Sequence, residues 1–130
     1  MDDLYQEHIL DHYQHPRHFG QLEGDKLSTE MTNLSCGDGI SVDVQLDKQG
    51  IITDIAWQGE GCAISMAAAS VISEWAIGQS LEEVQTLPIE TILEKLGLDT
   101  ISHSRLKCAS LFVHALKKLT SSDSKTEKAA

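Results

Sequence analysis

Three thiols and one carboxylate are the side chains of this sequence best suited to hold a metal. Cys36 and Asp38 stand two apart in Asn33-Leu34-Ser35-Cys36-Gly37-Asp38-Gly39, with glycines at 37 and 39. Cys62 follows Gln58-Gly59-Glu60-Gly61, and Cys108 falls in Arg105-Leu106-Lys107-Cys108-Ala109. Thiolates and carboxylates both ligate metals, and glycine permits the φ > 0 turns that bring ligands together. Donors so far apart in sequence make a four-ligand site only when the chain folds. Cys108 has a second chemistry, because flanking Lys107 and Arg105 favour a nucleophilic thiolate. The plainer reading is a small buried cysteine in a helix with solvated basic neighbours. His8, His12, His15 and His18 crowd another short stretch. No Cys or acidic residue completes a familiar ligand spacing there, so they read as helix-face and turn histidines.

Positioning these donors falls to a single domain. The chain of 130 residues is long enough for a real core, and its net charge of −10 argues against nucleic acid or an anionic membrane as main partner. No apolar run approaches the roughly 20 residues of a membrane span. Met1-Asp2-Asp3-Leu4-Tyr5 lacks the layout of a signal peptide, and the odd cysteine count suits thiols or metal ligands better than a disulfide framework. A cytoplasmic protein is expected.

The clearest structural pattern is a hairpin. Ile40, Val42, Val44 and Leu46 alternate with polar residues, Asp47-Lys48-Gln49-Gly50 reads as a turn, and Ile51, Thr53, Ile55 and Trp57 resume the alternation. Cys36 precedes one arm and Cys62 follows the other, so antiparallel pairing sets them side by side. A weaker strand is expected over residues 27–33. Leu4, Tyr5, Ile9, His12 and Tyr13 form the inward face of a first helix over 3–14, which Pro16 ends. Alanine-rich residues 63–76 predict a buried helix stopped at Gly78, with Cys62 at its N-terminus, where the helix dipole favours a thiolate. Ser80-Leu81-Glu82-Glu83 reads as a capping box, Pro88 opens a further helix closed by Gly97, and a last helix spans 103–119. It carries Cys108, Leu111, Phe112, Ala115, Leu116 and Leu119 on one face. The domain therefore covers 1–120, and the polar residues 121–130 are expected to be a disordered tail.

These landmarks together resemble the iron–sulfur cluster assembly scaffold family, the IscU, NifU N-terminal and SufU group, from about Leu4 to Leu119. The resemblance rests on Asp11-His12-Tyr13…Pro16-Arg17…Gly20, Cys36-Gly37-Asp38, Gly61-Cys62-Ala63-Ile64-Ser65-Met66-Ala67 and Arg105-Leu106-Lys107-Cys108-Ala109. It implies an α+β fold, a three-stranded antiparallel sheet packed against about five helices, with the cysteines converging at one end. It implies a scaffold more than an enzyme, receiving sulfur from a cysteine desulfurase, with Cys108 as acceptor. A transient [2Fe–2S] cluster would sit on Cys36, Asp38, Cys62 and Cys108, for delivery to iron–sulfur apo-proteins. The alternative within the family is a zinc-dependent sulfurtransferase of the SufU type, with Zn2+ on the same four residues. A purely structural zinc module is a third reading. Lys107, where IscU proper has His, points to the SufU branch, whereas the short step from Cys62 to Cys108 lacks that branch's insertion. Ile101-Ser102-His103-Ser104-Arg105 lacks the Leu-Pro-Pro-Val-Lys motif of IscU proper, so no dedicated Hsp70 is expected to bind there.

Overall fold

Alternating apolar residues pair as a hairpin because a period of two gives each strand one face that must leave water. β2 (Asp38–Leu46) runs antiparallel to β3 (Ile52–Glu60), and Asp47 Oδ1 closes the turn by accepting from Gln49 N at 2.8 Å and Ile51 N at 3.0 Å. On the inner face Val42 stands opposite Trp57 and Val44 opposite Ile55, all four buried. β1 (Leu27–Asn33) pairs with the other edge of β2, so the sheet order is β1-β2-β3. The computed structural model describes residues 2–33, 37–97 and 103–119. Among them these three strands are joined by five helices: α1 (Asp2–Gln14), α2 (Ala63–Ala76), α3 (Leu81–Gln85), α4 (Ile89–Leu96) and α5 (His103–Leu116). The α+β architecture is the expected one. Position 120 and the tail at 121–130 lie outside the described residues.

α2 is the hub of the helical layer, packed against α1, α4, α5 and β3. Ala67, Ala68 and Ala69 are fully buried in it, and their small side chains let several elements close on one helix. α5 lies on α2 and on β1 and β2, burying Phe112, Leu116 and Ala115. The helix boundaries follow their caps. Ser80 and Glu83 make the reciprocal bonds of a capping box, and Gly97 ends α4 in the left-handed region at φ 76°. The carbonyls at the end of α5 are met from α3, where Gln85 Nε2 donates to Leu116 O at 2.7 Å and to Leu119 O.

Four expectations need correction. Ile52, not Ile51 or Thr53, is the buried residue opening β3. Gln45 pairs with Asp54 but Leu46 with Ile52, so Thr53 is an extra residue in a bulge that reverses the inward phase. Tyr13, placed on the inner face of α1, is 44% exposed, while Ile9 and His12 are buried as expected. Leu4 and Tyr5 lie where side chains are not described. Regular α5 stops at Leu116, because Lys118 and Leu119 bond to carbonyls three residues back instead of four. Of the two glycines beside Asp38, only Gly37 has a positive φ, at 74°, whereas Gly39 is ordinary strand.

Of the strand glycines, Gly59, opposite Ile40, is the one that leaves no room for a side chain. A Cβ at position 59 would lie 2.6 Å from the Gly39 carbonyl oxygen and 3.3 Å from Ile40 Cα. Both obstacles are backbone and cannot swing away. Gly59→Ala should therefore cost about 1–3 kcal/mol, the usual scale of overpacking, read as a lower urea midpoint with an unchanged slope. An alanine variant as stable as the parent would show that the strand ends are looser than this register implies.

Candidate functional site

Cys62 lies in the two-residue step between Glu60, the last residue of β3, and Ala63, the first of α2. It is the N-cap residue of α2, with extended backbone (φ −73°, ψ 166°), and its carbonyl accepts from Met66 N at 3.1 Å. The sequence placed it there. Its side chain is half-buried, and its Sγ lies 3.6 Å from Ser65 Oγ. Ser65 belongs to the first turn of α2 and is 1% exposed.

The register places the start of β2 beside this step. Gly39 is opposite Glu60, so Asp38 begins its strand next to the residues leading into Cys62. On its other side Asp38 pairs with Asn33, the last residue of β1. Cys36 and the side chain of Asp38 lie outside the described residues. The antiparallel pairing of β2 with β3 is the expected one, and the predicted approach of Cys36 to Cys62 lies outside the described residues. Cys108 is in the second turn of α5 and only 3% exposed, packed within the core, while its neighbour Lys107 is exposed. The plain reading of Cys108 as a buried helical cysteine thus describes its surroundings. The segment 101–102 and the side chains of 103–105, including Arg105, are outside the described residues. Among the described residues no three His, Cys, Asp or Glu side chains gather as a metal group.

The histidine stretch has a different use. His12 Nδ1 lies 2.7 Å from Ser70 Oγ, which also accepts from Arg17 N at 2.8 Å. The carbonyl of Arg17 accepts from Trp57 Nε1 at 2.9 Å and from Ser73 Oγ at 3.3 Å. The Arg17 side chain pairs with Asp11 at 2.7 Å and holds that carboxyl below its ordinary range. His8 Nε2 lies 3.0 Å from the Lys95 carbonyl oxygen, and its ring meets His12 edge-on at 4.9 Å. His18 has a positive φ of 64°, its carbonyl accepts from Trp57 N, and Gly20 N donates to Trp57 O. Residues 18–20 thereby pair with the outer edge of β3. Sequence reasoning missed Ser70 and Ser73, which sit in an otherwise apolar helix; their polarity at buried helical positions was the available signal. It also missed Asp43, buried on the outer face of β2 and satisfied by Ser28 Oγ at 2.8 Å, Leu22 N at 3.1 Å and Lys26 Nζ at 3.2 Å.

The sequence matches the NifU-like N-terminal domain over residues 4–128. It is 34% identical to the iron–sulfur cluster assembly scaffold protein IscU of Haemophilus influenzae over 116 residues, covering 87% of this chain and 90% of the relative. It is also 34% identical to the zinc-dependent sulfurtransferase SufU of Bacillus subtilis over 136 residues, covering 91% and 90% respectively. A crystal structure from Fervidobacterium islandicum AW-1, described as a candidate iron–sulfur cluster assembly scaffold protein for the SUF system, superposes with a TM-score of 0.72. That pair is 27% identical, with 86% of this chain and 93% of the other covered. Among the described residues no helix is long and apolar enough to cross a membrane.

The bonding around Ser70 sets two measurable expectations. Ser70→Ala removes the shared partner of His12 and the Arg17 N–H, and should cost about 1–3 kcal/mol by chemical denaturation. Burial, followed by the nearby Arg17 charge, lowers the pKa of His12 from its ordinary 6.5; burial also lowers that of His114. The unfolded chain therefore binds more protons just below pH 6.5, and stability should fall as the pH drops through that window. His12→Gln should flatten the decline, leaving the part due to His114. An unaltered slope between pH 7.5 and 5.5 would assign the dependence elsewhere.

Proposed function

The chain belongs to the NifU-like N-terminal domain family, and from that premise we propose that it is a cytoplasmic scaffold for iron–sulfur cluster assembly. In this reading it takes sulfur from a cysteine desulfurase and holds a transient [2Fe–2S] cluster as cargo on Cys36, Asp38, Cys62 and Cys108. It then passes the cluster to apo-protein acceptors. The observation that carries the proposal is the register of Gly39 opposite Glu60, which supports a common site for the Cys36-Gly37-Asp38 and Gly61-Cys62 motifs at one end of the sheet.

The donor set suits a carrier. Thiolates bind iron–sulfur clusters, whereas the carboxylate of Asp38 is the one oxygen donor and the weaker partner for soft iron–sulfide cargo. A cluster held by three thiolates and one carboxylate can leave more readily than one held by four thiolates. Cys62 presents a half-buried thiol at the N-terminus of a rigid helix. Cys108, the assigned sulfur acceptor, is buried, so its thiol has to be uncovered before persulfide sulfur can reach it. The proposal includes no dedicated Hsp70 recognition at Ile101–Arg105, where the proline-containing motif is missing.

One observation favours a second reading, a zinc-dependent sulfurtransferase. Lys107 precedes Cys108, and the Bacillus relative so named is as similar as the IscU relatives. Against it, the Bacillus alignment runs over 136 positions yet takes in 91% of this 130-residue chain, so that relative carries residues absent here. The Haemophilus IscU alignment, at 116 positions and 87%, carries few. The scaffold reading is preferred.

Anaerobic incubation with desulfurase, L-cysteine, ferrous iron and a thiol reductant that brings persulfide sulfur to sulfide, the reductant being left out where sulfur loading is read, separates the two. A scaffold should develop sulfide-to-iron charge-transfer absorption and acid-labile sulfide, and Asp38→Ala should slow handover to an apo-ferredoxin severalfold. The metal-free Asp38→Ala protein should still accept sulfur by intact mass, and Cys108→Ser should accept little. A colourless protein with one tightly held zinc would replace the scaffold by the sulfurtransferase. Full sulfur loading of Cys108→Ser would remove Cys108 from its role in both.

A further inference from the structure

Cys62 and Ser65 occupy the N-cap and third helical positions of α2, the spacing at which a capping box exchanges hydrogen bonds. Here the contact joins the two side chains, with Cys62 Sγ 3.6 Å from Ser65 Oγ. A thiol and a hydroxyl can donate in either direction. A ligated thiolate has no proton, so only the hydroxyl can then donate. Ser65 is 1% exposed, and solvent does not compete for its hydroxyl.

We propose that Ser65 is a positioning residue for the cargo site, donating a hydrogen bond to the Cys62 sulfur when that sulfur is a ligand. This deepens the scaffold reading and rests on it. Partners that bond to metal ligands fix their direction and set how firmly the metal is held. A donor to a ligand sulfur also stabilises the added negative charge of a reduced cluster, which raises its potential. Both effects need the hydroxyl to be fixed beforehand, and α2 fixes it. Its first turn follows β3 after only Gly61 and Cys62, and the next turn is packed with fully buried Ala67, Ala68 and Ala69.

The test compares the full-length parent, Ser65→Ala and Ser65→Thr. Zn2+ affinity is measured by competition with a chromophoric chelator, and the potential of the reconstituted cluster by anaerobic titration. Alanine removes the donor while suiting a helix, so the variant should fold, and a melting curve checks this. Zn2+ affinity should fall about tenfold in Ser65→Ala, and the cluster potential should become more negative. Ser65→Thr keeps the hydroxyl and should restore both. A merely structural serine would move the melting temperature but neither of these readouts. A parent that loads cluster while Ser65→Ala matches it in affinity and potential would overturn the role of Ser65 alone. Equal changes in Ser65→Ala and Ser65→Thr would also overturn it, because packing and not donation would be the cause. A parent that takes up neither Zn2+ nor cluster would overturn the scaffold reading and this inference with it.

Discussion

The close passage of Gly59 against the Gly39 carbonyl fixes the geometry from which the site is built. Any side chain at 59 would meet backbone on the neighbouring strand, so glycine is what allows β3 to stay in register to Glu60. Only Gly61 and Cys62 then separate the strand from α2. A residue held between a strand and a helix has little freedom, and a donor so placed is presented by scaffold instead of by loop. The same register puts the start of β2, and with it Asp38, beside that step. Two of the four proposed donors thus owe their placement to the sheet.

α2 in turn needs a fixed direction, and a compact set of hydrogen bonds gives it one. The backbone of Arg17 reaches both layers: its N–H goes to Ser70 on α2, and its carbonyl receives Ser73 from α2 and Trp57 from β3. One peptide segment therefore ties helix to strand. Pro16 restricts the approach to it, and the Asp11 ion pair restrains the Arg17 side chain at the surface. Buried serines are costly unless satisfied, and both are satisfied here. Displacing this segment would expose several polar groups of α2 and β3 together, so the packing is cooperative.

Much of this was legible in the sequence, and the illegible parts share a cause. The hairpin, α2, the Ser80 capping box and the Gly97 stop each depend on neighbours within a few positions, which spacing reports. The bulge at Thr53 does not: strict alternation through Ile51, Thr53 and Ile55 is locally sound, and only pairing with Gln45 and Leu46 reveals the extra residue. Tyr13 has the spacing of the inner face of α1, yet its exposure is decided by where α2 and residues 15–20 lie. Asp43, Ser70 and Ser73 are polar residues whose partners are distant in sequence, so local pattern could not assign them to the interior. The cysteine motifs were legible as a set, because their chemistry is carried by residue type. Hairpin topology speaks only to the strand ends next to Cys36 and Cys62, and the place of Cys108 in the second turn of α5 has no such local signal.

The two described thiols occupy opposite environments, and a carrier has use for both. A half-buried sulfur such as Cys62 can meet metal or cargo arriving from solvent, whereas a buried one such as Cys108 is shielded from oxidants that would carry it past persulfide chemistry. Shielding also hinders transfer, so a buried acceptor requires a part of the fold that yields. The far end of α5 is poorly suited to yield. Phe112 and Leu116 are fully buried there, and Gln85 binds the carbonyls of Leu116 and Leu119. Cys108 sits in the second turn, well away from that anchor, and is followed at once by fully buried Ala109 and then Leu111. Uncovering its thiol from the near end of α5 would disturb one or two turns. Uncovering it from the far end would break the core.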